Sequence, residues 1–141
     1  MAKSERTRKR TGSGKLSAEL LKAVEAARDK QAVDAIVLDL RRAAAFTDYF
    51  LVCTGRNVRQ VKAIADSIEE TLRAARVRPA LVEGYDRAEW ILMDFFDFVV
   101  HIFTPEARQF YALERLWGSA ERLAFPDAGA PSAPGVTGPQ P

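Results

Sequence analysis

The chain has 141 residues, nearly half of them apolar, and a formal net charge of +2, which predicts one domain with a single hydrophobic core. No apolar run approaches the ~20 residues that span a bilayer. The first residues have no apolar signal-peptide centre, so we expect neither a membrane protein nor a secreted one. A single cysteine, Cys53, excludes an internal disulfide and a multi-cysteine zinc site and fits a cytoplasmic, reducing setting.

The positive charge is concentrated at the N-terminus. Residues 1–15 hold six bases and one acid, so subtracting their +5 from the total of +2 leaves residues 16–141 at −3. We expect 1–15 to be a disordered basic arm that either touches RNA phosphates or only solubilises the chain. Half of residues 126–141 are Pro or Gly, which predicts a disordered tail. The domain between them, 16–125, is mildly acidic and suits a basic protein partner.

The first half of this domain predicts a helix, two strands and a second helix. Apolar residues recur at helical spacing over 16–30, with Ser17 as the N-cap. Alternation predicts a strand over 34–40, and Tyr49–Thr54 is apolar on both faces, as central strands covered by helices are. The clearest helical periodicity covers 58–75, and Asn57 is its predicted N-cap.

The second half predicts three strands and a last helix. A short strand at 80–83 is followed by a turn and by a tight antiparallel hairpin over 90–95 and 97–103. Thr104, with a proline after it, starts a helix that should run to about residue 117. Its predicted buried residues are Ala107, Phe110, Leu113 and Trp117. The element order predicts an α/β (α+β) domain with one small mixed five-stranded sheet and helices packed on it.

Acidic and aromatic side chains are crowded between residues 82 and 97. This segment holds one base, Arg87, and five acids, which are Glu83, Asp86, Glu89, Asp94 and Asp97. The adjacent Phe95 and Phe96 should face opposite ways, so one of them should point outward unless both faces are covered. An exposed aromatic ring beside acids predicts a surface that binds a basic protein.

Trp90 is the strongest single candidate for such a contact, because Trp is enriched at interface hot spots and its neighbour Glu89 is charged. The alternative is a ring that closes the edge of the core. Asp94 and Asp97 flank the hairpin turn, and they either pair with bases of a partner or serve the turn itself.

Three residues before this hairpin are weaker candidates for the same surface. They are Glu83, Tyr85 and Asp86, which either extend the acidic surface or form a solvated loop.

Other polar residues favour structural roles. Strand alternation puts His101 on the same face as Val99 and Phe103, and one imidazole without neighbouring ligands is weak evidence for a metal. The segment 54–57 has one glycine and no lysine, so it favours helix capping over phosphate binding. Cys53 lies in a strand that is apolar on both faces and should be a small core residue.

Six segments form a specific pattern by their order and spacing. They are DAIVLDLR (34–41), TDYFLVCTG (47–55), RQVKAIADSIEETL (59–72), EG (83–84), EWILMD (89–94) and VVHIFTPEARQFYALERLWG (99–118). This pattern resembles the ribosomal silencing factor family, also called Iojap-like or RsfS. The resemblance covers nearly all of the predicted domain, and the pieces HIFTPE and LERLWG are its most distinctive parts.

The resemblance implies a domain similar in shape to nucleotidyltransferases but without their catalytic motifs or a cofactor. It implies binding to the large ribosomal subunit through its fourteenth protein, which blocks association with the small subunit and represses translation when nutrients are scarce. A homodimer is also implied. On the last helix, Arg108, Tyr111, Glu114 and Trp117 are spaced to line a dimer or ribosomal contact, although packing on the sheet is favoured for Trp117.

The chain departs from the family at Phe96, where members commonly have Gly in the hairpin turn. Phe adopts positive φ less easily than Gly does. We therefore expect either another turn type or an exposed Phe96 that adds a contact.

Two other functions remain as alternatives. A nucleotidyltransferase needs carboxylates on one strand face and a Gly-Ser turn, whereas Asp94 and Asp97 straddle a turn and both Gly-Ser pairs lie away from the strands. An RNA-binding module needs aromatic rings on a positive surface, whereas the aromatic residues here lie among acids. The basic arm would then add only an auxiliary contact to ribosomal RNA.

Overall fold

A computed structural model describes residues 16–43 and 45–129. The predicted basic arm and most of the predicted tail lie outside these residues. The helices are α1 (Ala18–Asp29), α2 (Val58–Ala74), α3 (Pro105–Tyr111) and α4 (Leu113–Leu116). The strands are β1 (Val33–Asp39), β2 (Tyr49–Thr54), β3 (Leu81–Glu83), β4 (Trp90–Asp94), β5 (Phe98–Phe103) and β6 (Glu121–Phe125).

One mixed sheet organises the described residues, in the strand order β3-β4-β5-β2-β1-β6. The central pair, β2 and β5, is parallel, and the other neighbouring strands are antiparallel. Every residue of β2 and β5 is buried, as expected for strands with packed layers on both faces. The predicted fold class and the hairpin of β4 and β5 are confirmed.

The sheet has six strands because β6 adds an edge that the sequence did not predict. Within the part of the chain that the structure describes, this strand pairs only with β1, and its side chains are mostly exposed. Its sequence therefore shows no alternation of apolar and polar residues. The first residues of the predicted tail hold it in place. Arg28 Nε donates to the carbonyl oxygen of Pro126 at 2.8 Å, and Asp34 N–H donates to Asp127 Oδ1 at 2.9 Å.

One sheet face, which we call the helix-covered face, lies under α1 and α2. The apolar stripes of the helices, such as Val24 in α1 and Ile64 and Ile68 in α2, pack against Leu51 and Val100 of the central strands. No helix within the described residues combines the length and the apolar character needed to cross a membrane.

The three predicted N-caps are confirmed. The side chains of Ser17, Asn57 and Thr104 each accept a hydrogen bond from the backbone N–H three residues later, at 3.1, 2.9 and 3.3 Å respectively. Each bond satisfies an N–H that the first helical turn leaves unpaired. These caps fix where α1, α2 and α3 leave the preceding loop or strand.

The last predicted helix is broken, which corrects two expectations. Ala112 has a φ of +45° in the left-handed region, so α3 ends there and α4 starts in a new direction. Phe110 was predicted to be buried but is 78% exposed, since Ala107 is the residue that α3 buries against the sheet. Ala107 and Leu113 are buried as predicted, and Trp117 is partly buried.

Candidate docking surface

The second sheet face is covered only in part. The short helices α3 and α4 pack Ala107 and Leu113 against it over the central strands. None of the described helices buries the part formed by β3 and β4. There Leu81 is 45% exposed, and Trp90 and Leu92 are partly exposed.

Strand register gathers five side chains on this uncovered part. Leu81 pairs with Asp94, and Glu83 pairs with Leu92; directly opposed residues share a face. Trp90 lies two positions before Leu92 on the same strand and therefore shares that face too. We call these five residues the open face. It combines apolar surface with two carboxylates and no base.

Trp90 is anchored within the open face. Its indole Nε1 donates to Nδ1 of His101 at 3.1 Å. Its ring lies 5.0 Å from the ring of Phe103 and 4.6 Å from that of Tyr111, centroid to centroid. The ring thus closes the edge of the core, which is one of the two interpretations of the sequence, and it is still partly exposed. Its contact with a partner stays a prediction.

Aromatic surface continues from Trp90 onto α3. Tyr111 is about half exposed, and the ring of Phe110 lies 4.9 Å from it. Tyr111 was among the contact residues proposed from the sequence, whereas the exposed positions of Phe110, Leu81 and Leu92 were not predicted. Alternation along the strand from Trp90 could have predicted the exposure of Leu92, whereas Phe110 stands at an apolar helical spacing that predicts burial.

The hairpin turn displays Phe96 in a strained conformation. Phe96 has a φ of +73° and its side chain is 71% exposed. Asp94 Oδ1 accepts the Phe96 N–H at 2.8 Å, and Thr47 Oγ1 donates to the Phe96 carbonyl oxygen at 2.8 Å. Phe therefore occupies the position that favours Gly, at a cost of about 1–2 kcal/mol. These two hydrogen bonds hold the turn, so Asp94 does serve the turn.

Phe95 is removed from the predicted contact residues. It is 5% exposed and packs on the helix-covered face, where its ring stacks on Phe98 at 5.1 Å. The expectation that one of the two adjacent rings points outward is confirmed, and the outward ring is Phe96.

Tyr85 also lies away from the open face. Its hydroxyl donates to the carboxylate of Asp66 on α2, at 3.0 Å to the nearer oxygen, and Lys62 lies 5.2 Å from its ring. That hydrogen bond to Asp66 raises the pKa of Tyr85. Because α2 covers the other side of the sheet, Tyr85 is not part of the open face.

The remaining predicted acids are exposed at two ends of β4. Asp86 and Glu89 lie in the connection between β3 and β4, where Arg87 is 3.6 Å from Glu89 in an exposed ion pair that contributes little to stability. Asp97 is exposed in the hairpin turn. Gly84 shapes the connection: its φ is +81°, and a Cβ there would meet the carbonyl oxygen of Trp90.

His101 lies beneath the open face and is 3% exposed. Burial lowers its pKa to about 4, so the imidazole is neutral at pH 7. Nδ1 accepts from Trp90, whereas Nε2 has no hydrogen-bond partner among the described residues. The predicted structural role and the predicted side of the strand both agree with this position.

The other chemically capable groups are placed for structure. Burial raises the pKa of Cys53 to about 12, so its thiol is not a nucleophile at neutral pH. The loop before α2 caps that helix, since Arg56 N–H donates to Gln60 Oε1 at 2.6 Å. Over residues 16–43 and 45–129, no group of three or more His, Cys, Asp or Glu is arranged to hold a metal.

Comparison with known proteins identifies the family and agrees with the fold. The family model described as "Ribosomal silencing factor during starvation" matches residues 14–137. The chain is 41% identical over 98 residues to the ribosomal silencing factor RsfS of Bacillus subtilis, covering 70% of this chain and 83% of that protein. It is 33% identical over 102 residues to the chloroplastic protein Iojap of Zea mays, covering 72% of this chain and 44% of that protein.

A solved structure of a protein from Chromobacterium violaceum has a TM-score of 0.70 to this chain at 35% identity, covering 82% of this chain and 92% of that one. The resemblance found in the sequence is thus confirmed both by sequence comparison and by fold. Because the family model spans most of the chain, the protein belongs to the ribosomal silencing factor family.

Proposed function

We propose that the protein represses translation by binding the large ribosomal subunit through its fourteenth protein and blocking association with the small subunit, above all when nutrients are limited. The observation that carries this proposal is the open face. It is a strip of apolar surface that no described helix covers, and acids lie within and beside it.

The chemistry of the open face suits a basic protein. Glu83 and Asp94 lie beside Trp90 and Leu92, with Asp97 and Phe96 at the adjoining turn. Acids around an apolar centre accelerate encounter with a positively charged partner and orient it. The contacts of Trp90 with neighbouring rings order its side chain before binding, which reduces the entropy lost on docking. A standard interface buries ~800 Å² of each partner.

This function requires only that the protein occupies its site on the large subunit, and it needs no chemical step. We propose a non-enzymatic, cytoplasmic factor that needs no cofactor and self-associates as a homodimer, with the basic arm as an auxiliary contact to ribosomal RNA. Nucleotidyl transfer is less well supported, because Asp94 is engaged in the hairpin turn, where its Oδ1 accepts from the Phe96 N–H.

Binding to the purified fourteenth protein of the large subunit tests the proposal. The docking variant combines Trp90→Ala with Asp94→Lys. Its matched control combines Leu21→Ala on α1 with Glu70→Lys on α2, both exposed on the helix layer. We expect the docking variant to bind at least about thirtyfold more weakly, since losing a hot-spot Trp costs ~2 kcal/mol.

The control variant should bind like the wild type. Equal affinity of the docking variant and the wild type, with both folded by circular dichroism, would exclude the open face as the binding site. Loss of binding in both variants would point to a general effect of charge.

A further inference from the structure

The hydrogen bond between Trp90 and His101 runs diagonally across two strands. Trp90 is directly opposite Phe103 in the ladder of β4 and β5, and His101 is directly opposite Leu92. The indole therefore leans along the open face until its Nε1 lies 3.1 Å from His101 Nδ1. A bond in this direction turns the N–H of the indole toward the sheet.

The inward direction of the N–H determines which atoms of the indole a partner contacts. Nε1 is the only polar atom of an indole, and it is a donor only. Because that atom is bonded to a residue that is 3% exposed, its donor is already satisfied before a partner arrives, and the rest of the ring is carbon. An apolar ring presented in this way docks without stripping water from a polar group.

The imidazole is itself held in place. The ring of Phe50 meets it edge to face, with the centroids 4.4 Å apart, and the ring of Phe103 is nearly parallel to it at 6.3 Å. Because Trp90 can only donate, Nδ1 must be the acceptor, and the proton of the neutral ring is on Nε2. Nε2 has no described partner, so the one described hydrogen bond of this buried side chain is that to Trp90.

We propose that His101 is a positioning residue of the docking surface: it holds the indole of Trp90 with its N–H inward, so that Trp90 offers an apolar face to the ribosomal partner. This inference rests on the proposed function. Without an acceptor at Nδ1, the indole N–H is either left unpaired against the sheet or turned outward, where docking must desolvate it.

Two amide substitutions separate positioning from packing. In His101→Asn the side-chain oxygen lies near the place of Nδ1 and can accept from the indole, whereas in His101→Gln the longer chain carries its oxygen past that place. Both variants put a neutral amide at the same buried position. A merely structural histidine would be affected similarly by the two changes.

The first readout is the indole N–H of Trp90 in ¹⁵N NMR of the full-length protein, assigned with a Trp117→Phe variant. The wild type should show slow hydrogen exchange at this group and a coupling across the bond to a histidine nitrogen. Protection should persist in His101→Asn and be lost in His101→Gln. Rapid exchange of the indole N–H in the wild type would overturn the proposal.

The second readout is affinity for purified large subunits. His101→Asn should bind within about threefold of the wild type, and His101→Gln about tenfold more weakly, the size expected for one unpaired polar group. Equal affinities for the two variants would overturn the positioning role. Trp90→Ala is measured alongside: if it binds normally, the proposed docking surface itself fails, whereas weak binding by Trp90→Ala with normal binding by His101→Gln refutes only the role of His101.

Discussion

Arg108 and Glu114 form an ion pair across the break between α3 and α4, with Nη2 3.0 Å from Oε2. The same guanidinium donates to the carbonyl oxygen of Asp34 at 2.7 Å and to Thr54 Oγ1 at 2.9 Å. Arg108 thus joins the two short helices to the first two strands. This connection fixes the end of α3 that carries Tyr111 beside Trp90.

Replacing Arg108 by Met should therefore destabilise the fold. The change leaves Glu114 and a backbone carbonyl oxygen without their partner, and we expect the free energy of unfolding in urea to fall by about 2 kcal/mol. Arg115→Met on the exposed side of α4 is the matched control and should change stability by less than about 0.5 kcal/mol. Equal losses in the two variants would show that the connection contributes nothing specific.

His101 should make stability depend on pH in the weakly acidic range. Its pKa is lowered by burial from 6.5 to about 4, so between these values the unfolded state binds a proton that the folded state does not. Stability therefore falls as pH falls through this window, by up to about 1.4 kcal/mol per pH unit. Urea unfolding of the wild type and of His101→Asn at about pH 5 and 6.5 measures the effect.

Among the described residues, Asp39 and Glu114 are carboxylates with lowered pKa values, and their titration changes the stability mainly below this pH range. A hydrogen bond from Arg41 holds the pKa of Asp39 low. Burial raises the pKa of Glu114, but its own backbone N–H and Arg108 outweigh burial and lower it. Their stabilisation is present above the unfolded pKa and is lost as pH falls through the folded value. A slope between pH 5 and 6.5 that persists unchanged in His101→Asn would therefore contradict the assignment to His101.

Phe96 should be costly for stability and useful for binding. Phe96→Gly removes the strain of a φ of +73°, and this gain is offset in part by the greater chain entropy of glycine when unfolded. We expect a net stabilisation of up to about 1 kcal/mol, together with weaker binding to large subunits because an exposed ring is lost.

Phe96→Ala is the matched variant, because it removes the ring and keeps the strain. It should weaken binding as much as Phe96→Gly does but without gaining stability, as thermal unfolding will show. Unchanged affinity in both variants would mean that Phe96 does not contact the partner.

The layers of the fold could be predicted from local pattern, because burial follows periodicity where a residue is covered by its neighbours. The predicted bounds of β2 agree fully with the structure, and those of α2 agree to within one residue. β6 was not predicted because this edge strand buries few side chains and shows no alternation of apolar and polar residues. The break at Ala112 was not predicted because Ala favours helices, and two of the contacts that Arg108 makes beside the break, with Asp34 and Thr54, join residues that are distant in sequence.

The candidate site was predicted in its chemistry more than in its geometry. The acids, Trp90 and Phe96 were proposed from composition, since charge beside aromatic residues is visible in the sequence. The side of the sheet on which Tyr85 lies depends on its bond to Asp66, and the bond between Trp90 and His101 depends on strand register. Neither hydrogen bond can be predicted from the spacing of the residues along the chain.

Association of purified ribosomal subunits in the presence of the protein tests the central claim most directly. Large subunits are incubated with the wild type, the Trp90→Ala/Asp94→Lys variant or the Leu21→Ala/Glu70→Lys control, small subunits are added, and sucrose gradients separate the products. We predict that the wild type and the control migrate with the large subunit and reduce the amount of intact ribosomes, and that the docking variant does neither. Undiminished ribosome formation with the wild type bound, or migration of the protein with the small subunit, would contradict the account.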